Sequence, residues 1–394
     1  MKHLTSIFAA VAILVTGSLS AQELQNFQRT APIVSPEITA TTVTFRLRAP
    51  QATDVRVQPS WLGYGPEAAE AGKMTKGENG VWTKTFDRPA SELYTYTFSV
   101  DGVSTLDPAN VFVQRDGTRF MNALILDGGL GDLYKESERA GNLDHVWYWS
   151  GTPGMYRRMY VYTPFGYDPN DKSREYPVLY LLHGGGGDED AWSTLGRTCQ
   201  ILDNLIARGE AQPMLVVMPN GNPTQRAART LMVPENPDVP KGNGSFDNYA
   251  SLPADIIPYI ESHYNVIKKR SGRALAGLSM GGGQTFYTGF RNADKFSALG
   301  MFSSGLLGSL GSIGAFDAEK EMPGIYSNPS KYNTFDLILI SCGEQDERIK
   351  GNKDVVDNLR AKGYRNVVWE TCPGGHEWKV WRINLASFAR KIFK

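Results

Sequence analysis

The chain has 394 residues, more than one average domain, so two are expected. With 41% hydrophobic and 21% charged residues it has the composition of an ordinary globular protein able to bury a sizeable core. Lys+Arg and Asp+Glu balance at 41 each, so no basic field exists to attract nucleic acid or an anionic membrane.

Residues 1–21 read as a secretory signal peptide. Lys2 and His3 supply the charged start, Ile7 to Val15 an apolar core too short to span a bilayer, and Gly17-Ser18-Leu19-Ser20-Ala21 a small-residue exit. No later run is long enough for a membrane span. The expectation is an exported protein, periplasmic or extracellular. Three widely spaced cysteines, Cys199, Cys342 and Cys372, make neither a disulfide framework nor a metal site. Free thiols are expected, with a Cys342–Cys372 bridge as the alternative. Neither a metal nor a cofactor is expected.

Residues 22–130 read as an all-β domain. Thr41–Arg48, Val55–Val57, Val81–Phe86 and Tyr94–Val100 alternate polar and apolar residues, and Asp101-Gly102 closes the last of them. That period, with turn dipeptides between the runs, predicts antiparallel strands of a small sandwich. Tyr94–Gly102 followed by Leu106-Asp107-Pro108-Ala109-Asn110 resembles the early-set, immunoglobulin-like domains related to family-48 carbohydrate-binding modules. The resemblance implies glycan contact through Trp61, Tyr64 or Trp82. The competing reading is a domain that only packs and shapes a cleft, with Trp82 in its core.

Residues 131–150 read as a linker, continuing the Gly- and charge-rich stretch from Asp127. From 151 to 394 strands alternate with helices. Tyr176–Leu182, Met214–Met218, Ala274–Leu278, Leu299–Phe302, Leu337–Cys342 and Val367–Thr371 are apolar runs suited to strands buried on both faces. Between them, Ile201, Leu202, Leu205 and Ile206 repeat at helical spacing, as do Tyr249, Leu252, Ile256, Ile257 and Ile260. Trp378, Trp381, Leu385, Phe388 and Ile392 form one face of a closing helix. The pattern predicts a mostly parallel sheet with helices on both faces and its chemistry at the carboxyl ends of the strands.

The run Ala274–Leu278 ends in Gly277-Leu278-Ser279-Met280-Gly281. This predicts a tight strand-to-helix turn with Ser279 exposed at its apex. A serine nucleophile needs a base, and the five histidines permit elimination. His3 is in the signal, His145 in the linker and His263 at the end of a helix. His183 opens a glycine run, where it more plausibly holds that loop. His376 follows the last strand and is taken as the base. The acid that orients it is sought in Gly343-Glu344-Gln345-Asp346-Glu347, with Asp346 preferred and Glu344 second. Donors for a developing oxyanion are assigned to the N–H groups of Gly185, in His183-Gly184-Gly185-Gly186-Gly187, and of Met280. No Gly-Lys-Ser/Thr follows that glycine run, which rejects a phosphate cradle. Trp192 is a candidate for substrate contact, with core packing as its rival. The Pro- and Gly-rich segment from Asn220 to Asn248 either lines the pocket or is a surface insertion.

The set Leu182–Gly187, Ile257-Pro258-Tyr259-Ile260-Glu261, Gly277–Gly282 and Gly374-Gly375-His376-Glu377-Trp378 resembles the esterase-D-like branch of the α/β-hydrolases. Within it the family-1 carbohydrate esterases are most similar. The resemblance implies an α/β-hydrolase fold behind the β-domain, and a serine esterase with Ser279 as nucleophile, His376 as base and Asp346 as acid. The expected substrates are feruloyl esters on plant cell-wall arabinoxylan. Acetylated xylan and siderophore esters of the enterochelin type are alternatives, and a non-catalytic glycan-binding protein is the alternative of another class. The oligomeric state is not legible.

Overall fold

The computed structural model describes residues 33–222, 225–227, 249–305 and 318–394. The signal expected at 1–21 and most of the 220–248 segment lie outside them. No helix among the described residues is long and apolar enough to cross a membrane. The described residues divide into two compact units, one containing those from 33 to 88 and 96–111, the other those from 89 to 95 and from 112 onward.

The first unit is all β apart from short helical turns. Glu37–Ile38, Thr42–Arg48, Val81–Asp87 and Thr75–Lys76 form an antiparallel sheet in that spatial order. Val55–Pro59 pairs antiparallel with Tyr96–Val100. Asp101 and Gly102 both have positive φ, 47° and 86°, the backbone a two-residue hairpin into Val103–Thr105 requires. The alternation works as expected: Val43, Phe45, Val57 and Phe98 are fully buried. Trp82 belongs to this core, and its indole N–H donates to the Ala49 carbonyl at 2.9 Å. It is thus removed from the glycan-contact candidates. Trp61 is half-buried against Phe45 and Phe86, and only Tyr64 is freely exposed.

The second unit carries an eight-stranded sheet. Its strands are β1 (Asn142–Ser150), β2 (Met155–Thr163), β3 (Val178–Leu182), β4 (Leu215–Pro219), β5 (Arg273–Leu278), β6 (Ala298–Phe302), β7 (Leu337–Gly343) and β8 (Val367–Cys372). The order is β1-β2-β4-β3-β5-β6-β7-β8, with β2 antiparallel to both neighbours and all later pairs parallel. Helices cover both faces: α1 (Thr198–Ala207), α2 (Ile257–His263), α3 (Met280–Arg291), α4 (Ile349–Ala361) and α5 (Trp378–Ala389). Every residue of β3, β4, β6 and β7 is buried, as apolar runs sandwiched between helix layers must be. This is the α/β-hydrolase fold.

Two boundaries differ from the sequence reading. The stretch read as a linker carries β1, the outer edge of the sheet, so His145 is a strand residue stacked on Tyr160. The hairpin Val113–Asp116/Arg119–Ile125 groups with the second unit, where Gln114 donates to the Thr194 carbonyl at 2.7 Å and Arg115 pairs with Asp188 at 2.7 Å. Polar pairing across more than seventy positions leaves no trace in local periodicity. The cysteines are free thiols.

Within this unit Glu92 and Arg382 form a buried ion pair at 2.9 Å. Truncating one partner leaves an uncompensated charge, so Arg382→Met should lower unfolding free energy by about 3–5 kcal/mol. Adding Glu92→Leu should recover much of it. Denaturant titration of the single and double variants measures both.

Candidate active site

β5 ends at Leu278, and Ser279 turns the chain into α3 with φ 50° and ψ −112°, a region unfavourable for any residue but glycine. Such a conformation persists only where its surroundings over-determine it. Here the Ser279 N–H donates to the Phe302 carbonyl at 2.8 Å. The Ser279 carbonyl accepts from Gly283 at 3.1 Å and Gly305 at 3.2 Å. The flanking glycines permit the packing. A Cβ on Gly281 would lie 2.5 Å from the Leu182 carbonyl oxygen and 2.6 Å from that of His183, and a Cβ on Gly277 would collide with the Gly281 backbone.

Asp346 and His376 come from the loops after β7 and β8. These loops are laced together: Glu344 N–H donates to Cys372 O at 3.0 Å, Gln345 N–H to Gly374 O at 3.0 Å, and Gly374 N–H to Gln345 Oε1 at 2.6 Å. His376 Nδ1 lies 2.7 Å from Asp346 Oδ2, and His376 Nε2 lies 3.0 Å from Ser279 Oγ. The ionised carboxylate only accepts, so Nδ1–H is the donor and Nε2 is free to accept from the serine hydroxyl. The second-choice acid, Glu344, is exposed and takes no part.

Asp346 is 2% exposed, and burial alone would raise its pKa. The bond from His376 outweighs that, helped by the Arg348 N–H at 3.0 Å and the Arg348 guanidinium at 3.1 Å on Oδ1. Its carboxyl is therefore held well below the usual carboxylate range. Trp381 sets its ring 4.9 Å from that of His376, nearly perpendicular, and limits its rotation.

The glycine run after β3 lies over this site. A Cβ on Gly184 would lie 2.5 Å from Leu278 Cδ1 and 3.3 Å from Ser279 Cβ, whereas Gly185 is exposed with open space at its Cα. Met280 opens α3, so its N–H has no acceptor within the helix. His183 anchors the run. It is buried, its Nδ1 contacts Gly184 O at 2.7 Å, and its Nε2 accepts the Gly221 N–H at 2.8 Å. Both bonds are satisfied at once by the neutral Nδ1–H tautomer, and burial lowers its pKa accordingly. Gly221 is held in turn by Gln284 Nε2, which donates to its carbonyl at 2.8 Å. On the far side of the run Glu189 is bound by Arg158 at 2.7 Å and by Asn220 at 3.0 Å.

Trp192 does not border a cleft. It is 1% exposed, donates its indole N–H to Leu182 O at 2.9 Å, and packs edge-on against Trp378. It is a core residue, and the substrate-contact expectation is corrected. Three further residues escaped the sequence reading. Arg348 grips Asp346. Asn352 on α4 bonds Ser304 N and O, each at 3.2 Å, and so fixes the turn after β6. Gly305 brings its Cα against Ser279, where a Cβ would stand 3.8 Å from Oγ. The only signal for them was position just past a strand end or in the first turn of the next helix.

Fold and geometry together define an α/β-hydrolase with a hydrogen-bonded Ser-His-Asp set at the carboxyl edge of its sheet. The Esterase family model matches residues 150–392, and the chain belongs to that family. It is 29% identical over 358 residues to an endo-1,4-beta-xylanase/feruloyl esterase of Xylanibacter ruminicola, covering 89% of this chain and 44% of that protein. The chain thus spans less than half the length of that relative. A ferulic acid esterase of Anaeromyces mucronatus superposes with a TM-score of 0.55 at 25% identity, covering 66% of this chain and 95% of the other. An enterobactin esterase of Shigella flexneri shares the fold over 90% of this chain and 94% of its own, with a TM-score of 0.61 at 16% identity.

Two outcomes follow from the site's packing. Gly281→Ala drives a methyl group into backbone carbonyls that cannot retreat, and should lower the melting temperature by several degrees or abolish folding. Unfolded His183 titrates near its ordinary value of about 6.5 and folded His183 below it, so the unfolded chain binds the extra proton between them. The stability that neutral His183 contributes is complete above about pH 6.5 and is lost as pH falls toward the lower folded value. Melting temperature should therefore fall less between pH 7 and pH 5 in His183→Gln than in the parent, read by thermal denaturation at each pH.

Proposed function

We propose that the chain is an exported serine esterase that cleaves feruloyl esters on plant cell-wall arabinoxylan. The observation that carries the reading is the bonded series Asp346–His376–Ser279, with nitrogen-to-oxygen distances of 2.7 and 3.0 Å. The likeness to feruloyl esterases supports the acyl group, and the leader expected at 1–21 supports export.

In this mechanism Ser279 Oγ attacks the ester carbonyl carbon while His376 Nε2 takes its proton. The carbonyl oxygen gains negative charge and is met by the N–H groups of Met280 and Gly185. The tetrahedral species collapses, His376 returns the proton to the departing sugar hydroxyl, and feruloyl-Ser279 remains. A water enters, gives His376 a proton as it attacks the acyl carbon, and the acid departs as Ser279 Oγ recovers the proton. Asp346 stays ionised throughout and holds the imidazole in the tautomer that leaves Nε2 free.

Methyl ferulate, acetylated xylan and a catecholate siderophore ester, offered to one preparation, discriminate the substrates. Ferulate cleavage is expected. Cleavage of another ester with ferulate untouched would move the assignment to that ester. Ser279→Ala should abolish turnover and labelling by a serine-reactive phosphonate. An unlabelled parent protein would instead leave a glycan-binding role. Asp346→Asn should lower kcat by about 10³–10⁴ with KM little changed, because the imidazole then takes the wrong tautomer.

A further inference from the structure

The hairpin of β1 and β2 carries a strip of aromatic side chains that the hydrolytic chemistry does not use. Cross-strand pairing sets His145 opposite Tyr160, Trp147 opposite Arg158 and Trp149 opposite Tyr156. Side chains two apart on a strand share a face, so these six lie on one side of the hairpin. His145 stacks on Tyr160 at 3.9 Å, the Arg158 guanidinium lies 5.5 Å from the ring centres of both Trp147 and Tyr160, and Trp149 meets Tyr156 at 5.2 Å. On the opposite face Tyr148, Arg157 and Met159 are buried. The strip is open to solvent: Trp147 is 42% exposed, Trp149 56% and Tyr156 66%. Burying such rings is favourable, so a solvent-facing run of them in regular register needs an occupant.

The strip's position says where that occupant leads. β2 runs antiparallel to β4, and Met159 pairs with Pro219, the last residue of β4. Arg158 and Tyr156, with Trp147 and Trp149 opposite them, therefore stand beyond the carboxyl ends of the parallel strands. That is the edge at which Ser279 sits. In the order β2-β4-β3-β5, three strand spacings separate β2 from the strand bearing Ser279, roughly 14 Å. The strip is also joined to the site by contact, because Arg158 binds Glu189 at the end of the glycine run.

Its chemistry selects the occupant. The one cation in the strip, Arg158, is already neutralised by Glu189, which disfavours an anionic polymer. Tyr160 is covered by His145 and Arg158, so the open aromatic surface is that of Trp149 and Tyr156, which suits packing against the apolar C–H faces of sugar rings in a neutral polysaccharide.

We propose that the β1–β2 aromatic strip binds the neutral glycan chain bearing the ester, a few sugars away from the bond that Ser279 cleaves. The proposal rests on the esterase reading above. Trp149 and Tyr156 carry most of the contact, being the most exposed and the pair farthest beyond the sheet.

The test uses the full chain and a Trp149→Ala/Tyr156→Ala variant. On soluble feruloylated arabinoxylan the variant should show KM raised about tenfold with kcat little changed, and on methyl ferulate no change in either. In a second arm, Ser279→Ala protein should be retarded in a native gel containing saponified, ferulate-free arabinoxylan, and the triple variant should not. Equal effects on both esters, no effect on the polymer, or equal retardation of both proteins overturns the proposal. So does sedimentation showing that the parent is a dimer dissolved by the variant, which would make the strip a self-interface. If the parent cleaves neither ester, the esterase reading fails while the gel arm still judges glycan binding.

Discussion

The geometry of the site depends on one backbone constraint, the left-handed turn at Ser279. Its conformation is unfavourable by itself and is maintained by bonds to the ends of neighbouring elements. Phe302 at the end of β6 accepts its N–H, and Gly305 and Gly283 donate to its carbonyl. Gly281 rests on the carbonyls of Leu182 and His183, at the end of β3. The turn therefore ties together three adjacent strand ends and sets the glycine run directly over the serine. Any side chain at Gly277 or Gly281 separates these layers, which is why the motif is a matter of space before it is one of chemistry.

Most of the fold was legible because buried parallel strands announce themselves as unbroken apolar runs. Val178–Leu182, Leu215–Pro219 and Leu337–Gly343 match the expected runs within a residue or two. Ser279, His376 and Asp346, which the structure brings together, were legible too, because they lie just past strand ends and few polar residues there were eligible. What stayed hidden was decided by partners far away in sequence. β1 looked like a connection because the Gly- and charge-rich stretch from Asp127 runs straight into it, and only its pairing with β2 shows it to be a strand. Trp192 stayed open between cleft and core because nothing local shows that its indole N–H has an acceptor at Leu182. Arg348 and Asn352 are ordinary polar residues on an ordinary helix start until the loops they hold are placed beside them.

The histidines illustrate the same division. His376 and His183 both follow strands and both adjoin glycines, His376 after Gly374-Gly375 and His183 before Gly184–Gly187. His376 has one nitrogen on a carboxylate and the other on a hydroxyl, whereas His183 spends both nitrogens on backbone groups. The first is left able to accept a proton. The second is fixed as a neutral brace, and the loop it holds is ordered before any ligand arrives. Under the proposed oxyanion role, N–H groups on such a loop need no rearrangement when charge develops, the condition under which they are most effective.

The double grip of Arg348 on Asp346 changes what the carboxylate contributes. One oxygen faces His376 and the other is shared between the N–H and the guanidinium of Arg348. A carboxylate already matched by a neighbouring cation attracts an emerging imidazolium less strongly than an isolated one. Asp346 accordingly contributes direction more than charge, pinning the imidazole at one angle. Before reaction Asp346 and Arg348 cancel. In the proposed mechanism the imidazolium balances the oxyanion that forms when the serine is deprotonated, so the total charge of the site is zero at both stages. On that mechanism ions in the surrounding solvent have little net charge to screen, and the proposed chemical step is nearly indifferent to the salt concentration around it.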